Sequence, residues 1–152
     1  MGSKKGPKDT SNQEIFTQRL LKFPQIKVFL AWSDPNHLKE WWGPKGFTNI
    51  FDVFEFRPGG SWKFTMKSPE GVEFKNKSEF IEIKKPQRIF FDHISAPQFK
   101  AEANFRPEGE NTHLTYRMYF ETPEDCAKVR EFAQEGNKEM FERLETYLKK
   151  MD

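Results

Sequence analysis

The chain of 152 residues is long enough for one domain, which at this size buries about 68 to 70% of the surface of the unfolded chain. Aromatic side chains make up 16% of the residues and phenylalanine alone occupies 17 positions, which excludes an unstructured chain and predicts a core rich in phenylalanine. The net charge of +2 arises within residues 1–13, and the balanced remainder offers no basic stripe for nucleic acid.

No segment has the length of a membrane helix. The longest uninterrupted apolar run covers only residues 28–32, whereas a spanning helix needs about 18. The single cysteine, Cys126, excludes an internal disulfide and is typical of a reducing compartment. We therefore expect a cytoplasmic protein that has neither a membrane nor nucleic acid among its partners.

The domain is predicted to begin after a short tail. Residues 1–13 carry no apolar side chain after Met1, so burial cannot offset the entropy lost on ordering them, and we expect a disordered tail. The remaining residues, 14–152, form one domain without internal repeats. Its first element is a strand over residues 14–23, which are rich in β-branched and aromatic side chains.

Two short helices are predicted to follow this strand. The first starts at Pro24, a residue favoured at the first helical position, and shows apolar side chains at helical spacing up to residue 31. The second starts after Asp34, a capping residue followed by Pro35, and ends at Gly43.

Alternating apolar residues and turn signals then predict an antiparallel meander. Residues 61–67 alternate most clearly, and the adjacent apolar pair Phe80 and Ile81 predicts a bulge in its strand. The last hairpin has a polar turn over residues 106–112. The predicted strands are residues 48–56, 61–67, 72–83, 88–94, 99–105 and 113–120.

The C-terminal element has the strongest local signal. Thr122 is a helix cap, Pro123 suits the first helical position, and one apolar stripe continues to Met151. A helix of about 25 residues is about 37 Å long and must lie across a sheet. The order of elements predicts an α+β fold in which a curved antiparallel sheet wraps around this helix.

Several motifs along the chain are distinctive. They are residues 29–35, Leu38, Trp41-Trp42-Gly43-Pro44, Gly46-Phe47, Arg57-Pro58-Gly59-Gly60, Trp62, Phe64, residues 143–145 and Tyr147-Leu148. These motifs resemble the family related to the C-terminal domain of the activator of Hsp90 ATPase, within the START-like and Bet v 1-like superfamily. The resemblance covers about residues 14–150 and departs from the family at Asn137, where a tryptophan is often found.

The resemblance implies a helix-grip fold with a cavity between the sheet and the long helix. In the wider superfamily such cavities take lipids, polyketides, flavonoids or hormones. The alternative is an ordinary filled core. A cavity is favoured by Gly136, which removes a side chain from the apolar helix face, and by the adaptable side chains of Met118 and Met140. The expected cavity residues are Trp62, Phe64, Met66, Phe80, Phe91, Tyr116, Met118, Phe132, Gly136 and Met140, with Trp41, Trp42 and Phe47 as a candidate lid.

The tryptophan pair of the candidate lid could instead serve to anchor the short helices. One tryptophan of the pair Trp41-Trp42 would anchor the short helices to the sheet while the other is partly exposed. Among the polar candidates for the cavity are Asn76, Tyr116 and Arg117, but strand alternation allows only one of the last two to point inward.

Enzyme chemistry finds little support in the motifs. The chain lacks GxSxG, HExxH and CxxC, its histidines lie on three different elements, and no catalytic residue, metal or cofactor is expected. His93 is predicted to be a solvated or rim residue, and the alternative is an acid-base group near the cavity mouth. The leading hypothesis is a non-catalytic binder of a small hydrophobic molecule. The alternatives are a stress-related module that contacts a chaperone, and a cyclase-like or hydrolase-like enzyme that uses polar groups of the cavity.

Overall fold

The computed structural model of the chain describes residues 11–151. Within them, seven strands and three helices follow a 3-10 turn at Ser11–Gln13. In chain order the elements are β1 (Glu14–Leu21), α1 (Gln25–Ser33), α2 (Pro35–Trp41), β2 (Thr48–Phe54), β3 (Ser61–Lys67), β4 (Glu73–Lys84), β5 (Arg88–His93), β6 (Phe99–Glu108), β7 (Asn111–Tyr119) and α3 (Pro123–Lys150).

All seven strands belong to one antiparallel sheet of order β1-β7-β6-β5-β4-β3-β2. The strands from β2 to β7 form a meander, and β1 adds to its far edge by pairing with β7. The sheet is curved, and α3 packs against it together with α1 and α2, which connect β1 to β2. This arrangement confirms the predicted helix-grip fold. No helix within residues 11–151 is long and apolar enough to cross a membrane.

The helices begin where the capping residues predict. The Asp34 side chain accepts a hydrogen bond from the backbone N–H of Asn36, and Thr122 accepts one from Asp125 at 3.0 Å. Each cap is followed by a proline at the first helical turn, where a missing N–H costs nothing. Local sequence alone therefore explains where α2 and α3 start.

Bulges and turns set the register of the sheet. The predicted bulge in β4 is present, because the pairing with β5 shifts between Phe80 and Glu82. The polar turn predicted over residues 106–112 is too long, since β6 and β7 stay paired up to Glu108 and Asn111. A two-residue turn suffices there because Gly109 adopts a φ of 64°, which two-residue hairpins require at that position.

The start of the described chain corrects the predicted tail. Residues 11–13 form the 3-10 turn, and the Gln13 side chain donates hydrogen bonds to the carbonyls of Phe120 (3.1 Å) and Glu121 (2.9 Å). These bonds order a polar segment that has no apolar side chain to bury. The rest of the predicted tail, residues 1–10, lies outside the described residues.

Candidate ligand-binding cavity

A cavity of about 180 Å³ lies between the sheet and α3. Nine of the ten residues predicted to form a cavity line it: Trp62, Phe64, Met66, Phe91, Tyr116, Met118, Phe132, Gly136 and Met140. The sequence missed the remaining lining residues, which are Gly43, Pro44, Ser78, His93, Pro97, Phe99, Val129, Ala133 and Asn137, besides the lid candidate Trp42 and the polar candidate Asn76.

Phe80 is the predicted cavity residue that lies elsewhere. It is buried, and its ring packs against those of Phe54 and Phe56, with centroids 5.5 and 5.1 Å away. It shares a sheet face with Ser78, which does line the cavity, but lies two residues farther along β4. Aromatic rings therefore surround Phe80, which lies outside the cavity lining.

The lid candidates have separate positions. Trp41 is fully buried and its indole N–H donates to the carbonyl of Ala31 at 3.1 Å, which fastens α2 to α1. Trp42 is 7% exposed and forms part of the cavity wall, with its ring 5.1 Å from that of Trp62. Phe47 lies outside the lining. The expectation that one of the two tryptophans is partly exposed is wrong, because the two rings also pack against each other.

Arg143 of α3 holds the loop that carries Trp42 and Pro44. Its guanidinium donates to five backbone carbonyls, those of Glu40, Trp42, Gly43, Pro44 and Phe47, at 2.9 to 3.2 Å. Several of these carbonyls follow the end of α2 and have no partner within the helix. A guanidinium carries five N–H donors in a rigid fork, so it can satisfy them together.

Gly136 lets this loop approach α3 closely. A Cβ atom at this position would lie 3.2 Å from Cγ of Pro44. The missing side chain on the apolar face of α3 is thus explained by the close approach of the Pro44 ring, and both residues line the cavity.

Three lining residues form a row across the middle of the sheet. Trp62 of β3 lies directly opposite Ser78 of β4, which lies opposite His93 of β5. Residues directly opposite each other share a face of the sheet. The indole N–H of Trp62 and the hydroxyl of Ser78 are both buried and have no hydrogen-bond partner within residues 11–151. The lining therefore includes two buried polar groups without a partner.

His93, predicted to be solvated, is only 5% exposed because Phe99 stacks on its ring at 4.5 Å. Its Nδ1 lies 2.8 Å from the carbonyl of Pro97, and its Nε2 lies 2.8 Å from Oδ1 of Asn76. The amide of Asn76 is oriented by a bond from its Nδ2 to the carbonyl of Phe74. Burial lowers the pKa of His93, and hydrogen bonds with the backbone of Pro97 and Ser95 oppose this effect.

Tyr116 and Arg117 take opposite sides of β7, as the alternation requires. Tyr116 lines the cavity, and burial raises the pKa of its hydroxyl. Arg117 points away and donates to Oε1 of Glu14 at 3.0 Å. The tyrosine hydroxyl accordingly stays protonated at neutral pH and is available as a neutral polar group.

The cavity reaches the surface at α3. Phe132, which the apolar stripe placed inside, is 65% exposed and forms the rim. Asn137 also lines the cavity and donates from Nδ2 to Sδ of Met118 at 3.3 Å. No group of three or more metal-ligating side chains occurs in the described part of the chain.

Comparisons with known proteins agree with this architecture. A family described as "Activator of Hsp90 ATPase homolog 1-like protein" matches residues 22–149. No curated protein matches the sequence.

Several solved structures share the fold. A crystal structure of a protein from Nitrosomonas europaea is 25% identical, with a TM-score of 0.85 over 95% of this chain and 99% of the other. A solution structure from Arthrobacter aurescens is 24% identical, with a TM-score of 0.86 over 95% and 90%. A crystal structure from Rhodobacter sphaeroides is 21% identical, with a TM-score of 0.83 over 97% and 98%.

Proposed function

The chain belongs to the Activator of Hsp90 ATPase homolog 1-like family, and we propose that it binds a small apolar molecule, the size of one ring or two fused rings, in the cavity between the sheet and α3. The observation that carries this proposal is an apolar cavity of about 180 Å³ that reaches the surface at Phe132, inside a core that is otherwise packed with aromatic rings.

The volume sets the size of the ligand. An engineered apolar cavity of about 150 Å³ binds benzene, whereas pockets for larger ligands measure about 300 to 1,000 Å³. A flavonoid or a full lipid chain exceeds the cavity of about 180 Å³ described here. Met66, Met118 and Met140 line it, and their flexible side chains can adjust its shape to more than one small ligand.

A pair of variants on α3 tests the proposal. Ala133 is 8% exposed and lines the cavity, so Ala133→Phe places a ring inside it. The neighbouring Gln134 is exposed, and Gln134→Phe adds the same ring outside. Toluene binding, followed by backbone amide shifts at Phe64, Phe91 and Gly136, should be lost in Ala133→Phe and retained in Gln134→Phe. Absence of binding by the folded wild type would overturn the proposal.

The description of the family supports a second candidate, contact with a chaperone through the charged surface. Charged residues make up 32% of the chain, and such a contact would weaken as salt rises. Binding to a purified Hsp90-type chaperone should then depend on salt and be equal in Ala133→Phe and wild type. If the chaperone binds the chain equally at low and high salt, or at neither, this candidate function is contradicted.

A further inference from the structure

Two polar groups of the cavity lack the partners that buried groups of their kind normally have. The indole N–H of Trp62 and the hydroxyl of Ser78 are buried and unpaired within residues 11–151. By contrast, Trp41, equally buried, donates its N–H to the carbonyl of Ala31. Because most buried donors in folded proteins are paired, two unpaired ones in the lining of one cavity point to a ligand that pairs with them.

The strand register places the two side chains next to each other on one face of the sheet. Trp62 and Ser78 are directly opposite on β3 and β4, so their Cβ atoms lie about 4.5 to 5.5 Å apart on the same face. The two groups do not bond to each other. The indole nitrogen is only a donor, so its missing partner must be an acceptor, and the serine hydroxyl can donate to the same atom.

The charges of the lining determine the kind of acceptor. Neither lysine nor arginine occurs among the lining residues, so a carboxylate would be buried without a cation. His93 is the basic residue of the lining, and both of its ring nitrogens are already engaged, by Pro97 and Asn76. A neutral carbonyl oxygen fits instead, because it has two lone pairs for two donors and needs no counter-charge.

We propose that the ligand is a small, neutral cyclic or aromatic carbonyl compound whose oxygen accepts hydrogen bonds from Trp62 Nε1 and Ser78 Oγ. This inference rests on the proposed function. The ring would then lie against the apolar lining, towards Met118 and Met140 of the cavity wall.

Acetophenone and α-methylstyrene test this assignment, since they differ only by a carbonyl oxygen in place of a methylene group. We expect acetophenone to bind about tenfold more tightly in an NMR titration of ¹⁵N-labelled protein, which corresponds to about 1.4 kcal/mol. The indole N–H resonance of Trp62 should move downfield with acetophenone and not with α-methylstyrene. This resonance is read in the wild type, so the test does not depend on a variant that folds.

Variants then locate the two donors. Trp62→Phe and Ser78→Ala should each reduce the preference for acetophenone towards equality. Trp32→Phe is the matched control, because Trp32 is also buried with an unpaired N–H but does not line the cavity, and it should keep the preference.

The outcomes separate this inference from the proposed function. If both probes bind equally and the indole resonance does not shift, the carbonyl assignment is overturned and water is the partner of the two donors. The proposed function would still stand. Binding of neither probe by the folded protein would overturn both. A preference for acetophenone that survives in Trp62→Phe and Ser78→Ala would also refute the assignment of these two donors.

Discussion

Replacement of Arg143 by methionine tests whether one side chain holds the loop at the cavity. Methionine keeps most of the length and apolar stem but has no donors, so the five carbonyls of residues 40–47 lose their common partner. A hydrogen bond from a charged group contributes about 1.5 to 3 kcal/mol, but here three carbonyls share Nη1 and water can reach part of the group. We therefore expect a loss of about 2 to 4 kcal/mol in the free energy of unfolding.

Urea denaturation measures this loss, and hydrogen exchange locates it. The backbone N–H of Phe47 donates to Pro44, and that of Lys45 donates to Oε1 of Glu139. Arg143→Met should speed hydrogen exchange at both amides relative to the wild type. Amides of the interior strand β6 should be affected less. Arg143→Lys keeps the charge but has fewer donors, so its free energy of unfolding should lie between those of Arg143→Met and the wild type. A loss below about 0.5 kcal/mol, typical of an ordinary surface position, with unchanged exchange at Phe47 would refute the reasoning.

Two further predictions concern single positions. Gly60→Ala should destabilise the fold by more than about 2 kcal/mol in urea denaturation, because the new Cβ would lie 2.0 Å from the carbonyl oxygen of Glu55. Gly59→Ala meets open space and bears only the strain of a φ of 82°, about 1 to 2 kcal/mol, so it should lose less, and equal losses in the two variants would contradict this explanation. Burial lowers the pKa of His93 below its usual 6.5, so the folded state favours the neutral ring. The neutral ring therefore stabilises the fold above pH 6.5, and this stabilisation is lost as the pH falls. The wild type should therefore lose more stability than His93→Gln between about pH 7 and pH 5, and parallel pH profiles would show that His93 does not titrate as described.

Local pattern was enough to predict the strands and the caps, and it pointed to nine of the residues that line the cavity. The strict alternation over residues 61–67 identified the inward side chains Trp62, Phe64 and Met66, because successive residues of a strand face opposite sides. Thr122 and Pro123 likewise located the start of α3.

Ser78 was not predicted to line the cavity, and His93 was placed at its rim, although the signal for both was present. His93 continues the buried positions Ile89 and Phe91 along β5, and Ser78 shares a face with Phe80. Residue type outweighed position in the prediction, since histidine and serine are usually exposed. Alternation alone would have placed both side chains inside.

Long-range contacts could not be derived from local pattern. The approach of Pro44 to Gly136 and the five bonds of Arg143 join residues about 90 to 100 positions apart, and their geometry follows from how the loop meets α3. The helical stripe also placed Phe132 inside, whereas its ring is 65% exposed at the rim of the cavity.

Contacts between a small apolar molecule and the methionine methyl groups would show whether a ligand enters the cavity between the sheet and α3. Met66, Met118 and Met140 line the cavity, while Met151 is buried outside it. With ¹³C-labelled methionine methyls, intermolecular nuclear Overhauser effects from toluene should reach the first three and not Met151. Absence of these effects at the three lining methyls, at toluene concentrations near its solubility in water, would contradict the account.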